Sequence, residues 1–559
     1  MEGETFQSLA FIACLLFHRL FSRNHDYWKR RNVPHVEPLP LFGSSLDMLY
    51  VPLCFIELQR YRRFGLLYGY FEGSRPILSV GDPQLLEGIL DWRTKIFSNR
   101  RIGNTPLQRS QSSAMRDSQR KCQNGYRAAE GTSPQKHFNC NSSKTFSLRV
   151  SILSVTKQEL HQAVELKTGD KIIDNMVSVK GGEDSKRIRN IMTPLFTSNK
   201  IRKITENVFQ DSVNTLINNF RTAAANKSAA DLKRIYGTFT MDVISVSAFS
   251  FRSERYNNPD NTLTRLADSI LNQKLKVKLI FHHLLPIWLM RILRIDISSS
   301  ADTSELRRII LEIIEERQRT GERRNDFLQS LLDIYEKSPS ASSDKYLSMD
   351  ELVSQCAVFF LAGYETTASA LSFATYLLAL NQEIQEKLRA EVDAEMERND
   401  DHLTYDALKS MTYLDQVISE TLRLYPPAFR LERQAEDDYR LGNTGINIPK
   451  GMVITIPVFA MHRDPKFWPN PERFDPERFT PEEEKKIPKY CYLPFGAGPR
   501  KCLGQLFAKT EVKFCLAHVV RYFKINTCPE TNIPLEFDLS QHGLLQPKDI
   551  KVSLVPRHL

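Results

Sequence analysis

The chain has 559 residues, of which 41% are hydrophobic and 25% charged, and its formal net charge is +10 at pH 7. This composition excludes a collagen-like, wholly disordered or small disulfide-rich protein and indicates a globular chain with a large core. Nine cysteines form an odd, sparse set without a CxxC pair, which argues against a zinc cluster and favours a reducing, cytosol-facing compartment. The basic residues match no nucleic-acid-binding motif, so a lipid surface or an acidic protein is the expected anionic partner.

The N-terminal region contains an apolar run at 9–17, followed by basic residues and a proline-spaced segment. The run is shorter than the roughly 20 residues that a bilayer-spanning helix needs. Two interpretations follow: a short membrane anchor over residues 1–25, or a buried amphipathic helix. If the segment is an anchor, the basic residues after it place the remaining domain, 26–559, on the cytoplasmic side.

A hairpin, a polar segment and a series of helices come next in the chain. Residues 65–82 read as two strands bounded by glycine and proline. Residues from about 102 to 170 are rich in Ser, Gln, Asn and Arg and lack an apolar period, which predicts a disordered insertion or translated non-coding sequence. Residues 185–340 follow mainly helical patterns, and the apolar stretch 277–293 suits either the core or a membrane interface.

The long helix predicted after Ser348 carries the first unusual group of residues. Ser348 and Glu351 form a capping box, and the residues that follow are apolar on nearly all sides, as in the middle of a large domain. Glu365 and Thr366 interrupt this pattern. The Thr366 hydroxyl can bond the carbonyl of Ala362 and leave a polar notch, so the group is either an internal helix contact or a proton-relay site.

Glu420 and Arg423 form the second group, three residues apart in a helical pattern over 411–424. Two residues at this spacing share one helix face. Their apolar neighbours predict partial burial, and a buried ion pair needs further hydrogen bonds. A second arginine in the segment NPERFDPERF, Arg473 or Arg478, could supply them.

Cys502, in the stretch PFGAGPRKCLG, is the third unusual feature. The glycines and prolines before it predict a tight loop whose backbone can approach a flat ligand closely. A helix is predicted over 503–523, and the amides and dipole at its start favour a thiolate at Cys502. Such a thiolate suits either a nucleophile, for which His462 and His518 are the nearest bases in the sequence, or the axial ligand of a haem iron.

These features occur in the order and spacing of a known family. They resemble four motifs of the cytochromes P450, namely the haem-thiolate loop (Phe495–Gly504), the ExxR helix (Glu420–Arg423), the PERF segment (Pro476–Phe479) and the oxygen-activating helix (Ala362–Thr367). The resemblance runs from about residue 30 to 559, without the segment at 101–170. Shorter stretches such as AGYETT and HRDPKFW are similar to the animal microsomal subfamily 3A, and LSFATYLLA and CPETNIPL to thromboxane-A synthase.

The resemblance implies a mainly α fold with small β-sheets (α+β), in which haem b lies between the long central helix and the helix after the cysteine loop. Cys502 would be the axial ligand of the iron, and Thr366 and Glu365 would deliver protons. The other implied haem-binding residues are Arg500, Arg433, Phe495, Gly496, Gly504, Arg100 and Arg189. A structural triad of Glu420, Arg423 and Arg478 would support the loop.

The implied function is a monooxygenase of the endoplasmic reticulum membrane, with its catalytic domain facing the cytosol. It would insert one oxygen atom from O2 into a lipophilic steroid, fatty acid or xenobiotic. Electrons would come from NADPH through NADPH-cytochrome reductase, with cytochrome b5 as a further partner and no role for nucleic acid. The alternatives are a peroxide isomerase like thromboxane-A synthase and an inactive haem-binding relative.

Two further expectations concern the surroundings of Cys502. The reductase would dock on the Cys502 side, where Lys489, Lys501, Lys509 and Lys513 are expected to form a basic surface for an acidic partner. The family usually has a tryptophan four residues before the arginine that corresponds to Arg189. This chain has Ser185 at that position, which predicts weaker haem binding.

Overall fold

The computed structural model describes residues 22, 24–91, 95–97, 170–251, 262–271, 300–337, 346–538 and 544–558. The predicted N-terminal anchor, apart from its last residues, lies outside this part of the chain. Arg100, the apolar stretch 277–293 and all but the final residue of the predicted insertion also lie outside it.

The described part of the chain is mainly helical with small sheets, which confirms the predicted fold class. Its α-helices, in chain order, are α1 (Leu53–Phe64), α2 (Pro83–Leu90), α3 (Gly182–Met192), α4 (Ser198–Ile204), α5 (Gln210–Ala225), α6 (Leu232–Phe249), α7 (Thr262–Leu271), α8 (Ser300–Thr320), α9 (Phe327–Lys337), α10 (Met349–Leu380), α11 (Gln382–Arg398), α12 (Tyr405–Ser410), α13 (Thr412–Leu424), α14 (Val458–Met461), α15 (Pro481–Glu484) and α16 (Gln505–Tyr522).

The strands form three small sheets within the described residues. Their bounds are β1 (Leu67–Glu72), β2 (Arg75–Val80), β3 (Ala230–Asp231), β4 (Leu431–Gln434), β5 (Tyr439–Arg440), β6 (Asn447–Ile448), β7 (Val453–Ile456), β8 (Phe523–Asn526) and β9 (Lys551–Pro556). The strand orders are β1-β2-β7-β4, β3-β9-β8 and β5-β6. Strands β1 and β2 pair antiparallel, which confirms the hairpin predicted for residues 65–82.

Helix α10 is the central element and begins as the sequence predicts. The Ser348 hydroxyl accepts the backbone N–H of Glu351 at 3.2 Å, and the Glu351 carboxylate accepts the N–H of Ser348 at 3.0 Å, which completes the capping box. Among the described helices it is the one whose length and composition would allow a membrane crossing, but 72% of its apolar window is buried inside the protein. An apolar helix covered by its own domain is a core helix.

Helix α6 packs along α10 through apolar and hydrogen-bonded contacts. Thr240 Oγ1 donates to the carbonyl of Tyr364 at 3.0 Å. A Cβ added to Gly363 would lie 2.5 Å from Cδ1 of Ile244, so the absence of a side chain at Gly363 permits the close approach of α6. These contacts fix the segment of α10 that carries Glu365 and Thr366.

Candidate active site

Cys502 lies at the rim of a rigid loop between α15 and α16. Its side chain is exposed, whereas four other described cysteines are buried, namely Cys54, Cys356, Cys491 and Cys515. The backbone N–H of Cys502 donates to the carbonyl of Phe495 at 2.9 Å and closes the loop. The geometry presents one thiol outwards from a constrained backbone, which is what a ligand to an external group requires.

Glycines shape this loop by backbone conformation and by close approach. Gly496 and Gly498 have φ angles of +68° and +70°, where a side chain is strained. A Cβ on Gly498 would also lie 1.8 Å from the carbonyl oxygen of Leu90. Gly504, next to α16, is partly exposed, and so is Phe495 at the other end of the loop.

The helix after Cys502 starts later than the sequence predicts. Helix α16 begins at Gln505 and ends at Tyr522, whereas the pattern predicts 503–523. Leu503 and Gly504 form a turn, and Gly504, with φ −84° and ψ 13°, lies outside helical geometry. Cys502 therefore precedes the helix by three residues.

Thr366 forms a hydrogen bond within α10 at the position where the sequence predicts a notch. Its Oγ1 donates to the carbonyl of Ala362 at 2.6 Å, which confirms the expected bond four residues back along the helix. Ala362 is exposed although the helix around it is largely buried. An exposed alanine in the middle of a core helix marks an open space beside that helix.

An aromatic contact joins this part of α10 to the helix that follows the cysteine loop. The rings of Phe359 and Phe507 meet edge to face with 5.8 Å between centroids. Phe359 and Thr366 lie seven residues, about two turns, apart on the same face of α10. Phe507 follows Cys502 by five residues. The notch and the cysteine loop are thus held on two elements that pack against each other.

Glu365 is buried on a different side of α10, where it faces charged groups of α6 and α7. Burial raises the pKa of its carboxyl group, and the charge of Lys233 acts in the opposite direction. Asp268 is a second acid in this cluster, and burial raises its pKa as well. Tyr364 Oη donates to Asp268 Oδ1 at 3.0 Å. Burial thus favours the protonated form of both carboxyl groups.

Of the four arginines that the resemblance assigns to haem binding, Arg500 and Arg433 are buried beside the loop. The Arg500 guanidinium donates to the carbonyls of Val177 and Lys180 and to the hydroxyl of Ser185. Ser185 therefore occupies the tryptophan position of the family as an acceptor for this arginine. Both Nη atoms of Arg500 are engaged by backbone and hydroxyl oxygens of the 177–185 segment.

Arg433 and Arg189 each donate to a backbone carbonyl of the loop. Arg433 donates to the carbonyls of Glu432, at 2.8 Å, and Ala497, at 3.4 Å, so its head group touches the loop directly. Arg189 donates to the carbonyl of Lys501 at 2.5 Å. Arg100 lies outside the residues that the structure describes.

The predicted triad is assembled around Glu420. Both side chains of the Glu420–Arg423 pair are fully buried, with N–O distances of 2.6 and 2.7 Å. Glu420 also accepts the backbone N–H of Asp475 at 3.0 Å. Arg478 places Nε 3.4 Å from Glu420 Oε1, at ion-pair distance but without hydrogen-bond geometry. Of the two candidate arginines, Arg478 supplies the side chain, whereas Arg473 supplies a carbonyl that accepts from Arg423 at 3.2 Å.

His462 links this pair to the cysteine loop and does not act as a base for Cys502. Its Nε2 accepts the N–H of Leu493 at 2.9 Å, so Nδ1 carries the hydrogen and donates to the carbonyl of Arg423 at 3.1 Å. Burial lowers the pKa of His462 to about 3. His518 is also buried and bonds the carbonyl of Phe514 in its own helix. Neither histidine supports the nucleophile interpretation.

The predicted basic surface is smaller than expected. Lys501 is exposed, and Lys489 and Lys509 each pair with a carboxylate. Lys513 is only 8% exposed and donates to the carbonyl of Met411 at 3.1 Å, so its assignment to this surface is wrong. The reason is that its face of α16 packs against the start of α13 and not against solvent.

Sequence reasoning missed the roles of Asp268, Tyr364 and His462. Asp268 is separated from Tyr364 by 96 positions, and no local pattern indicates that contact. His462 carried a weak signal, because a histidine within a buried apolar strand-and-turn segment is expected to have fixed hydrogen-bond partners.

These residues fit a haem. The exposed thiol of Cys502 can serve as an axial ligand, the loop carries no side chain at Gly496 or Gly498, and Arg433 lies beside the loop as a cationic partner for a carboxylate. Exposed Ala362 leaves room on the α10 side. No other metal cluster of His, Cys, Asp or Glu occurs among the described residues.

Comparison with known proteins agrees with this geometry. The family model for Cytochrome P450 matches residues 153–554. Cytochrome P450 3A31 of Mesocricetus auratus is 32% identical over 561 residues, which cover 99% of this chain and 97% of the relative. Cytochrome P450 3A9 of Rattus norvegicus and 3A13 of Mus musculus are also 32% identical; each alignment covers 98% of this chain, and 96% and 95% of the relatives. The chain therefore belongs to the cytochrome P450 family and is a haem-dependent P450 monooxygenase, an enzyme class in which a cysteine thiolate ligates the iron.

Proposed function

We propose that this P450 inserts one oxygen atom from O2 into a lipophilic small molecule such as a steroid, fatty acid or xenobiotic, with Cys502 as the axial ligand. The observation that carries the proposal is the position of the Thr366 notch. It lies on the face of α10 that packs, through Phe359 and Phe507, against the helix after Cys502.

Two sides of the site have different roles: the Cys502 loop holds the haem, and α10 provides groups for proton transfer. Haem, when bound, supplies the iron at which O2 is activated, and a thiolate ligand favours O–O cleavage. On one side Cys502 provides the thiolate, and the His462–Leu493 hydrogen bond keeps the start of its loop in place. Arg433 offers a buried positive charge next to the carbonyl of Ala497 for a propionate group.

On the other side, Thr366 and Glu365 hold and transfer protons. The Thr366 hydroxyl is held by the carbonyl of Ala362, so its oxygen lone pairs can accept a hydrogen bond from a water or pass a proton on. Glu365 is a buried carboxyl group whose pKa is raised by burial, which favours its protonated form and suits a group that holds and donates a proton. Tyr364, on the same stretch of α10, donates to Asp268 of α7, which adds a second acid.

We further propose a cytosol-facing enzyme of the endoplasmic reticulum membrane, with residues 1–25 as anchor, 26–559 as catalytic domain and an insertion at about 102–170. Three large apolar side chains near the N-terminus, Leu39, Leu49 and Tyr50, are between 38% and 58% exposed, as expected for a surface that meets lipid. NADPH-cytochrome reductase is the proposed electron donor and cytochrome b5 a further partner. Exposed Lys501 beside Cys502 suits an acidic partner.

Two measurements test this function. The first is the reduced carbon-monoxide spectrum of the purified, haem-loaded protein, for which we expect a thiolate-type shift of the Soret band. The second is turnover of lipophilic substrates with NADPH and reductase, compared with turnover of an endoperoxide without them. Product only from the endoperoxide would establish a peroxide isomerase instead, and a spectrum without the thiolate-type shift would refute the catalytic assignment.

A further inference from the structure

A groove lies away from the cysteine loop, between α1, the end of α13, α14 and residues 534–537. Its volume is about 370 Å³. Pockets that bind small molecules usually measure roughly 300–1,000 Å³, so the groove is large enough for a compact ligand. Its described lining residues include none from α10 or from the 495–504 loop, so it is separate from the site of the proposed oxygen chemistry.

The walls of the groove are aromatic. The ring of Phe55 meets those of Phe459 and Phe537 edge to face, with centroids 5.8 and 5.7 Å apart. Tyr425 lies 6.0 Å from Phe537. Rings arranged in this way offer both faces and edges to an apolar or aromatic ligand body.

A buried arginine with unused hydrogen-bonding capacity lines the same groove. Arg463 is 5% exposed, and its guanidinium carbon lies 3.7 Å from the ring centroid of Phe459. Its Nε contacts Glu472 at 3.3 Å, whereas Nη1 has no hydrogen-bond partner in the described part of the chain. Burial lowers the pKa of Arg463 to about 10.

The carboxylate of Glu472 compensates the positive charge of Arg463 only weakly. Glu472 is 60% exposed and also contacts Arg62, 3.3 Å away, so it is hydrated and shared between two guanidinium groups. A buried cation with an unfilled donor is costly unless an anion pairs with it. A ligand anion in the groove would provide that pairing.

We propose that the groove is a second ligand site, which binds a small amphipathic anion. The aromatic walls contact its apolar body, and Arg463 binds its carboxylate or sulfonate head. The volume of about 370 Å³ suits a free small molecule. This site does not depend on oxygen chemistry at Cys502, so its failure and the failure of the proposed function are separate results.

The test uses the full-length haem-loaded protein and naphthalene-2-sulfonate, with binding measured by isothermal titration calorimetry. A saturating azole that ligates the iron is present, so that the haem pocket is closed to the probe. The neutral 2-naphthylmethanol serves as a ligand control. We expect the sulfonate to bind about tenfold more tightly than the alcohol, because a charge-assisted hydrogen bond adds to the aromatic contacts.

Two exposed substitutions keep the fold intact. Glu472→Gln removes the competing carboxylate and should strengthen sulfonate binding about threefold or more, without effect on the alcohol. Gln59→Trp places a large side chain at the exposed rim of the groove and should weaken binding of both ligands about tenfold or more. Asn214→Trp, an equally exposed helical substitution away from the groove, is the matched control and should change neither.

Three outcomes in the wild type or in Gln59→Trp overturn the proposal. These are no sulfonate binding to the wild type, equal affinities for sulfonate and alcohol, or binding that Gln59→Trp leaves unchanged. A decrease in sulfonate affinity in Glu472→Gln would also overturn it, since Glu472 would then assist the anion and not compete with it.

Discussion

Removal of Arg423 is expected to destabilise the protein far more than removal of an exposed arginine at the same sequence spacing. Arg423 makes two bonds to Glu420 and one each to the carbonyls of His462 and Arg473, and the ion pair is fully buried. In Arg423→Ala these carbonyls lose their donor and Glu420 loses its main counter-charge. Breaking a buried pair in this way costs about 3–5 kcal/mol.

The matched control is Arg319→Ala on α8. Arg319 also pairs with a glutamate three residues earlier, Glu316, with N–O distances of 2.7 and 2.8 Å. The two side chains are 71% and 56% exposed. An exposed pair contributes far less to stability than a buried one, so Arg423→Ala should lose clearly more free energy of unfolding than Arg319→Ala although their local sequence geometry is alike.

The assay is guanidinium-induced unfolding of the haem-loaded protein, followed by far-ultraviolet circular dichroism. The pKa of Glu420 is raised by burial even with Arg423 present. Without the arginine we expect the pKa of Glu420 to rise further. Ionisation of this buried carboxyl group then costs more in the folded protein, so Arg423→Ala should lose additional stability as the pH rises. A loss in Arg423→Ala no greater than that in Arg319→Ala would refute the argument that burial decides the strength of this pair.

Three further predictions concern the site itself. Cys502→Ala should abolish the thiolate-type carbon-monoxide spectrum, whereas Cys491→Ala, which removes a buried thiol whose pKa is raised to about 12, should leave it unchanged. Thr366→Ala should lower coupled product formation at least tenfold while the unfolding midpoint stays the same, since among the described residues its hydroxyl bonds only the carbonyl of Ala362 in its own helix. Full coupling in this variant would exclude the proton role. His462 should make the protein acid-sensitive. Its pKa in the folded protein, about 3, lies below the ordinary 6.5, so its contribution to the free energy of unfolding is fully present above pH 6.5. That contribution is lost as the pH falls, by about 2 kcal/mol between pH 7 and 5. His462→Gln should reduce that slope in unfolding titrations, and an unchanged slope would contradict this assignment.

Local sequence patterns were sufficient to predict contacts wherever the interacting residues are close in sequence. The capping box at Ser348, the Thr366–Ala362 bond and the Glu420–Arg423 pair each span three or four residues, which helical geometry brings to one face. The hairpin at 65–82 is similar, because antiparallel strands need only a short turn. The start of a helix is predicted less accurately than its existence, and α16 begins two residues after the predicted position.

Contacts between distant segments could not be predicted from local sequence patterns. Ser185 accepts from Arg500 across 315 positions, and Arg463 enters an aromatic groove formed with α1 and residues 534–537. The burial of Lys513 has the same origin, because the face of α16 that packs inwards depends on where α13 lies.

The sequence by itself determined the family, the fold class and the residue types of the site, since Cys502, the Glu365–Thr366 notch and the Glu420–Arg423 pair each depend on local spacing. Only the tertiary structure decided which partners these residues meet. It brought the side chain of Arg478, and not that of Arg473, to Glu420 and brought Asp268 to Tyr364. It also left Nη1 of Arg463 without a hydrogen-bond partner among the described residues. The physical reason is that burial and long-range hydrogen bonds arise when separate elements pack, and no periodicity within one element encodes them.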